Sequence, residues 1–390
     1  MAQAVLVSSS FLPGRGGIES YLAELCDTLK PRLAVVAAAE RDGSRLEELE
    51  LPYPTHGFPG RLLVPGPKAR RAVQEATATE GTDRILFGTP WPLVLMGPRL
   101  KSAGLRYAVI VHGAEMTVPA ALPWIRRRLA RALAEADLLL PVSRYTADRL
   151  ERLIRRAGHK VPPLDLLRAR VDLDRFSPHA DGASARREFG LDEHQKVILC
   201  FGRLVPRKGV DRLIEALPDI ARRVPNAALV VAGTGPAERK LRALAEQSAR
   251  GRNDAAGQVV FAGRVTDAQA PDVYAAADVF ALPVVDRWFG LEMEGLGVVL
   301  LEAAACSVPV VTGRSGGTPE AVLDGTGGFV IDARDRAVLA DRIVWLLQNP
   351  GSAREMGRMG RAHVTKEFSR SALPASLLAW LDDRPDPKLS

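Results

Sequence analysis

Short aliphatic or β-branched runs alternate along this chain with longer stretches whose apolar residues recur every three or four positions. A short apolar run suits a strand buried on both faces, and the 3.6-residue recurrence suits a helix with one buried face. In the first half the pattern predicts strands at Ala4–Ser8, Leu33–Ala37, Ile85–Phe87, Tyr107–Val111 and Leu138–Val142. Helices are predicted over Gly17–Lys30, Lys68–Thr79, Leu122–Ala136 and Arg144–Ala157. The alternation then begins again. Strands are predicted at Val197–Phe201, Ala228–Ala232, Val259–Phe261, Val279–Leu282 and Val308–Val311, with helices near 210–223, 236–250, 267–276 and 297–306. Strands separated by helices form βαβ units with parallel sheets. Two successive sets therefore predict an α/β chain of two Rossmann-like domains. The periodicity fails over Arg170–Gly182, where the joint is expected. Ligands of open α/β sheets sit beyond the carboxyl ends of the strands, so a site is expected in a central cleft faced by both domains.

The size, 390 residues, agrees with two domains. With 47% hydrophobic and 25% charged residues, the composition excludes a disordered or fibrous chain. The richest apolar stretch, Gly297–Val311, is interrupted by Glu302, so no membrane span is expected. The opening MAQAVLVSSSFLPGRGG has no basic leader and reads as a first core strand rather than a signal peptide. Cys26, Cys200 and Cys306 show no CxxC spacing, which argues against a disulfide framework or a zinc site and fits a reducing cytoplasm. The net charge of +7 is uneven: residues 1–180 hold 26 Lys/Arg against 19 Asp/Glu, and the rest hold 27 of each. That excess points to an anionic partner of the first half (a phospholipid surface, an anionic acceptor or nucleic acid) unless it is only an Arg-rich surface.

Several motifs carry chemistry. The first strand runs into a loop with Gly14, Gly16 and Gly17 before a helix opens at Ile18. Backbone N–H groups at a helix start attract anions, and glycine lets a phosphate come close. A nicotinamide-dinucleotide fingerprint would need glycine where Glu19 stands, and again where Glu238 follows Gly233-Thr234-Gly235. No GxxxxGK[ST] is present, which argues against NTPase chemistry. Glu294 and Glu302 flank a Gly-containing loop that opens a helix, and a pair of carboxylates suits the hydroxyls of a sugar or ribose. Arg203 and Lys208, between a strand and a helix, can reach one diphosphate from the two ends of their loop. Each of these also has a plain reading as a tight turn or a solvated surface. Trp124 with Arg126, Arg127, Arg128 and Arg131 describes either an interfacial helix on anionic lipid or an amphipathic helix docked on its own sheet. Lys68, Arg70 and Arg71 add a second basic cluster, and His56, His159, His179, His194 and His363 read as surface residues.

The ordered set GGIE (16–19), HGAE (112–115), VSRYTADRL (142–150), VDLDRFSP (171–178), GRLVPRKG (202–209), AGTGP (232–236), FAGRV (261–265), EGLGVVLLE (294–302) and SGGTPE (315–320) resembles family 4 of the retaining glycosyltransferases. The resemblance implies the GT-B fold, a nucleoside-diphosphate sugar donor, retention of anomeric configuration, no metal and no other cofactor, and no nucleic-acid partner. It implies an acceptor-side domain over 1–172, a nucleotide-sugar domain over 173–366, and a helix and tail over 367–390 crossing back to the first domain. It places Gly16 and Gly17 at the donor phosphate, His112 beside the transferred sugar, and Arg203 and Lys208 on the diphosphate. Glu294 with Gly295, Leu296 and Gly297 would hold sugar hydroxyls, Glu302 the ribose, and the backbone of Val265 the base. One departure stands out: Ala169-Arg170 replaces the Asn-Gly usual before Val-Asp, so a basic side chain stands where the family has a flexible turn in its interdomain loop. Within the family, GGIESYL, HGAE and EGLGVVLLEA most resemble the actinobacterial mannosyltransferases that use GDP-mannose and a phosphatidylinositol mannoside acceptor. The expected location is then cytoplasmic, peripheral on the inner face of the plasma membrane. A soluble natural-product or sugar acceptor is the second reading, and a sugar-nucleotide 2-epimerase or a non-catalytic donor-binding protein are the readings from other classes.

Overall fold

The aliphatic runs assemble into two six-stranded parallel sheets, each in its own unit. The structure, a computed structural model, describes residues 2–14, 16–41, 43–113, 122–249, 257–288, 292–369 and 373–382. Ala114 and Glu115 of the HGAE motif, Arg15 and the tail from 383 on lie outside the described residues. The first unit comprises residues 1–170 and 370–390, the second 171–369.

In the first unit the strands are β1 (Ala4–Val7), β2 (Leu33–Ala38), a short antiparallel pair β3 (Glu40–Arg41) and β4 (Ser44–Arg45), β5 (Thr55–Phe58), β6 (Arg84–Phe87), β7 (Arg106–Val111) and β8 (Leu138–Pro141). The sheet order is β5-β2-β1-β6-β7-β8, with Val5 paired to Ala34 on one side and Ile85 on the other. Every residue of β1 and β2 is buried, as a sheet covered by helices on both faces requires. Because the order reverses between β1 and β6, their outgoing loops diverge there, at the position where open sheets take ligands. The loop before Gly16 leaves β1, Gly88 follows β6, and His112 follows β7.

The second unit repeats the plan. Its strands are β9 (Lys196–Phe201), β10 (Ala227–Ala232), β11 (Gln258–Gly263), β12 (Val279–Leu282), β13 (Val310–Gly313) and β14 (Gly328–Ile331), in the order β11-β10-β9-β12-β13-β14. The reversal falls between β9 and β12. The loop from Gly202 to Lys208 leaves β9, and the segment leading to Glu294 leaves β12.

The periodicity misses several elements and leaves one helix to be decided by the fold. β5 and β14 were not predicted: Thr55–Phe58 is a half-buried edge strand with polar residues, and Gly328–Ile331 follows a glycine-rich turn. The helix Arg336–Gln348 is apolar on most sides, with Leu339, Ile343, Val344, Leu346 and Leu347 buried, so it lacks the one-faced rhythm that marks an amphipathic helix. The helix Pro123–Ala134 buries Ile125, Leu129, Ala130, Ala132 and Leu133, and Leu129 and Leu133 join the core with Val109 and Leu139. Its apolar stripe is therefore committed to its own sheet, and the face it turns outward carries Trp124, Arg126, Arg127, Arg128 and Arg131. Of the remaining histidines, His159, His179 and His194 are exposed, but His56 and His363 are half-buried. His56 lies 3.0 Å from Glu80, and His363 packs on Phe368.

Candidate functional site

In the second unit, β9 ends in a loop that closes with a 3-10 turn, Pro206–Lys208. The turn buries Lys208 (7% exposed) and leaves Arg207 half-buried, while Arg203 stays exposed and makes no ion pair with a described residue. Lys208 Nζ lies 2.9 Å from Glu294 Oε2, and Arg207 Nε lies 3.5 Å from the same oxygen. Arg207 also reaches Glu292 at 3.5 Å, and Glu292 pairs with Arg287 at 3.2 Å. The result is a run of alternating charges, Arg287–Glu292–Arg207–Glu294–Lys208. Burial alone would push the Glu294 carboxyl up, but Lys208 and then Arg207 hold it below the ordinary carboxylate range. Arg207 was not singled out by the motif, although it sits inside it. Consecutive side chains of a 3-10 turn point about 120° apart, so no spacing marks Arg207; only the fold brings it to the carboxylate that Lys208 also meets.

The backbone of Glu294 is held by the SGGTPE segment. Its N–H donates to Ser315 Oγ (3.2 Å), Ser315 Oγ donates to Asp286 (2.5 Å), and the Gly317 N–H donates to the Glu294 carbonyl (3.1 Å). Gly316, at φ +53°, lies so close that a Cβ there would stand 1.8 Å from the Glu294 carbonyl oxygen. Gly297, at φ +84°, caps the helix Val298–Ala305 and gives the loop its turn. Glycine at 316 is thus explained by packing against Glu294, and glycine at 297 by its positive φ and by Leu300, whose Cδ1 would stand 2.8 Å from a Cβ there.

Glu302 lies on that helix but does not meet Glu294. It accepts a 2.5 Å hydrogen bond from the buried Tyr274 hydroxyl, and burial pushes its carboxyl up. The two glutamates therefore serve two separate places, one beside the cationic turn and one beside Tyr274. Val265 is half-buried in the loop after β11.

In the first unit, Gly16 is the N-cap of the helix Gly17–Leu29 with an extended backbone, φ −179°, so its conformation does not itself demand glycine. Its surroundings do. A Cβ on Gly16 would lie 2.5 Å from Glu19 Oε2, because the Glu19 carboxylate folds back over the helix start. His112 is 9% exposed, its Nε2 lies 3.0 Å from the Gly88 carbonyl, and its ring meets Tyr21 edge-on at 4.9 Å. Arg170, the departure from the family pattern, has a fully buried side chain that pairs with Glu24 at 2.6 Å and lies over the Tyr21 ring at 5.5 Å. Instead of a flexible turn, this position is a buried anchor onto the first helix. Among the described residues no cluster of His, Cys, Asp and Glu has the makings of a metal site, and no helix is long and apolar enough to cross a membrane.

Two family models match consecutive parts of the chain: "Glycosyltransferase Family 4" over residues 15–162 and "Glycosyl transferases group 1" over 182–363. The GDP-mannose-dependent alpha-(1-6)-phosphatidylinositol monomannoside mannosyltransferase of Mycolicibacterium smegmatis is 38% identical over 386 residues, 96% of this chain and 98% of that one. The GDP-mannose-dependent enzyme of Corynebacterium glutamicum, named for a monoacylated form of that acceptor, is 35% identical over 388 residues, 98% of each chain. Among solved structures, Anabaena HepE in complex with UDP and glucose superposes with a TM-score of 0.76 at 21% identity, covering 98% of this chain and 100% of that one. WaaG, a glycosyltransferase involved in lipopolysaccharide biosynthesis, superposes with a TM-score of 0.69 at 18% identity, covering 97% and 98%. These likenesses identify the two-sheet architecture as GT-B. Matched by family models over 15–162 and 182–363 and by curated relatives over nearly its whole length, the chain is a glycosyltransferase and belongs to glycosyltransferase family 4.

Proposed function

We propose that this enzyme transfers a mannosyl unit from GDP-mannose to a hydroxyl of a phosphatidylinositol mannoside, with retention at the anomeric carbon. The observation that carries the reading is the end-to-end match, at 35–38% identity, to mannosyltransferases named for that donor and that acceptor. The cationic turn of the second unit is chemically suited to the donor. An ammonium has three N–H donors, so Lys208 has capacity to hold Glu294 and a diphosphate oxygen together. Arg203, exposed on the same loop, adds the second cation. Glu294, kept ionised by its neighbours, accepts from the sugar hydroxyls, and Glu302 accepts from the ribose.

In the reaction, the bond from the anomeric carbon to the diphosphate oxygen breaks while the acceptor oxygen bonds on the same face. The acceptor proton passes to the departing diphosphate, so no enzymic nucleophile takes part. Lys208 and Arg203 stabilise the charge that grows on the leaving group. Their fixed charge is the reason to expect activity without a metal. Gly16, Gly17 and His112 of the first unit keep the roles the family resemblance gives them, at the donor phosphate and the transferred sugar. The outward face of the helix Pro123–Ala134, with Trp124 61% exposed and Arg126, Arg127 and Arg128 beside it in sequence, suits an anionic membrane carrying the acceptor. The enzyme would then work as a peripheral protein of the cytoplasmic membrane face.

Donor profiling tests the first half of this reading. Melting curves with GDP, UDP, ADP and their sugars should show the largest stabilisation with GDP and GDP-mannose. A larger shift with UDP or ADP compounds would reject the donor.

A further inference from the structure

Glu302 gives one of its two carboxylate oxygens to the protein itself. Tyr274 is fully buried on the helix Ala270–Ala275, with ring centroids of Phe176, Phe201 and Phe280 at 5.8, 5.2 and 5.6 Å. A phenol in so apolar a setting needs a partner for its hydroxyl. It finds Glu302 Oε2, on the helix Val298–Ala305, at 2.5 Å. The packed ring cannot follow a moving carboxylate, so the hydrogen bond fixes the glutamate rather than the reverse. An ionised carboxylate only accepts. With one site of Oε2 occupied by the phenol, Oε1 keeps both of its acceptor sites for a ligand's hydroxyls. The surrounding charges act on the same group. Burial pushes the Glu302 carboxyl up, the Tyr274 hydroxyl works against it, Arg175 and Lys208 also lower it, and Asp267 raises it.

We propose that Tyr274 is a positioning residue for nucleotide recognition: by holding Oε2 it aims Oε1 of Glu302 at the ribose hydroxyls. This rests on the reading of Glu302 as the ribose acceptor. Tyr274 touches no substrate; it acts through the orientation of the glutamate. The ring supplies core packing, which phenylalanine would keep, and the hydroxyl supplies the orientation, which phenylalanine would lose.

The experiment is a calorimetric titration of the full chain with GDP and with 2′,3′-dideoxy-GDP, for the wild type, Tyr274→Phe and Glu302→Gln. The wild type should bind GDP at least about tenfold more tightly than the dideoxy nucleotide, as hydrogen bonds to a charged acceptor allow. Tyr274→Phe should lose most of that preference, with GDP binding about tenfold weaker and dideoxy-GDP binding within about twofold of the wild type. If Tyr274→Phe weakens both nucleotides alike, its role is packing alone and the proposal is overturned. It is likewise overturned if GDP affinity is unchanged in Tyr274→Phe while Glu302→Gln loses it, an outcome that leaves the ribose reading intact. A Glu302→Gln variant that binds GDP as the wild type does would remove the ribose reading, and the proposal with it.

Discussion

Replacing Lys208 by Ala tests the cationic turn through both stability and chemistry. The ammonium and the Glu294 carboxylate are 9% and 12% exposed and 2.9 Å apart, so the loss strands a buried charge. Breaking such a pair costs about 3–5 kcal/mol. Arg207 remains 3.5 Å from the same oxygen, which favours the lower end, about 3 kcal/mol. For a unit of this size that corresponds to a fall in Tm of about 6–12 °C. The pH dependence should change with it. In the wild type the Glu294 carboxyl titrates below its ordinary value of 4.5, so its contribution is present above 4.5 and is lost only as pH falls through the depressed value. In the variant burial is opposed only by Arg207, so the carboxyl moves up and holds its proton more tightly folded than unfolded. The variant therefore gains relative stability as pH falls, and its deficit should narrow between pH 7 and 4.5. Adding Glu294→Gln should recover part of the loss, because the stranded charge is gone. Turnover of Lys208→Ala should fall ~10²–10³-fold whatever the pH. Urea titrations across that range, with single-turnover transfer rates, measure both effects. A deficit that stays constant with pH, or additive losses in the double variant, would refute the pairing, and near-wild-type turnover would refute the role on the diphosphate.

Gly316→Ala forces a Cβ against the Glu294 carbonyl at a positive φ; it should cost about 1–3 kcal/mol in melting experiments and weaken donor binding, and an unchanged Tm would refute the packing argument. Transfer should continue in excess EDTA, and loss restored by magnesium or manganese would contradict the assignment of leaving-group charge to Arg203 and Lys208. Wild-type protein should float with anionic vesicles, less so as salt rises. Replacing Arg126, Arg127 and Arg128 with Ser should weaken that binding by roughly 10²-fold, at about 1 kcal/mol per basic residue, while GDP affinity stays unchanged; wild type that remains at the bottom of the gradient would reject the membrane face.

The strands nearest the site were legible because they lie in the middle of their sheets. Runs such as Val5–Val7 and Val197–Leu199 are aliphatic without interruption, the mark of burial on both faces. Edge strand β5 escaped because only the central strands must be apolar throughout. The site motifs were legible as residue types in order, but their partners were not. Nothing in the spacing of Lys208 and Glu294 shows that they pair, since two loops from different strands bring them together. Tyr274 belongs to none of the motifs, and only the position of its hydroxyl marks it out. Arg170 seemed to disturb a flexible turn, and in fact finds Glu24 and Tyr21, 146 residues away in the case of Glu24. The helix Pro123–Ala134 shows the converse limit: its periodicity was right, but periodicity does not say what covers the apolar face.

The most direct measurement of the central claim is transfer itself. Purified enzyme is incubated with GDP-mannose carrying a labelled sugar, with and without phosphatidylinositol monomannoside in vesicles, and the products are resolved by thin-layer chromatography and NMR. The expected result is label in a dimannoside with an α linkage, GDP released in equal amount, and no altered sugar nucleotide when acceptor is absent. Label in an epimerised sugar nucleotide without acceptor, a β-linked product, or donor that binds but is never consumed would contradict it.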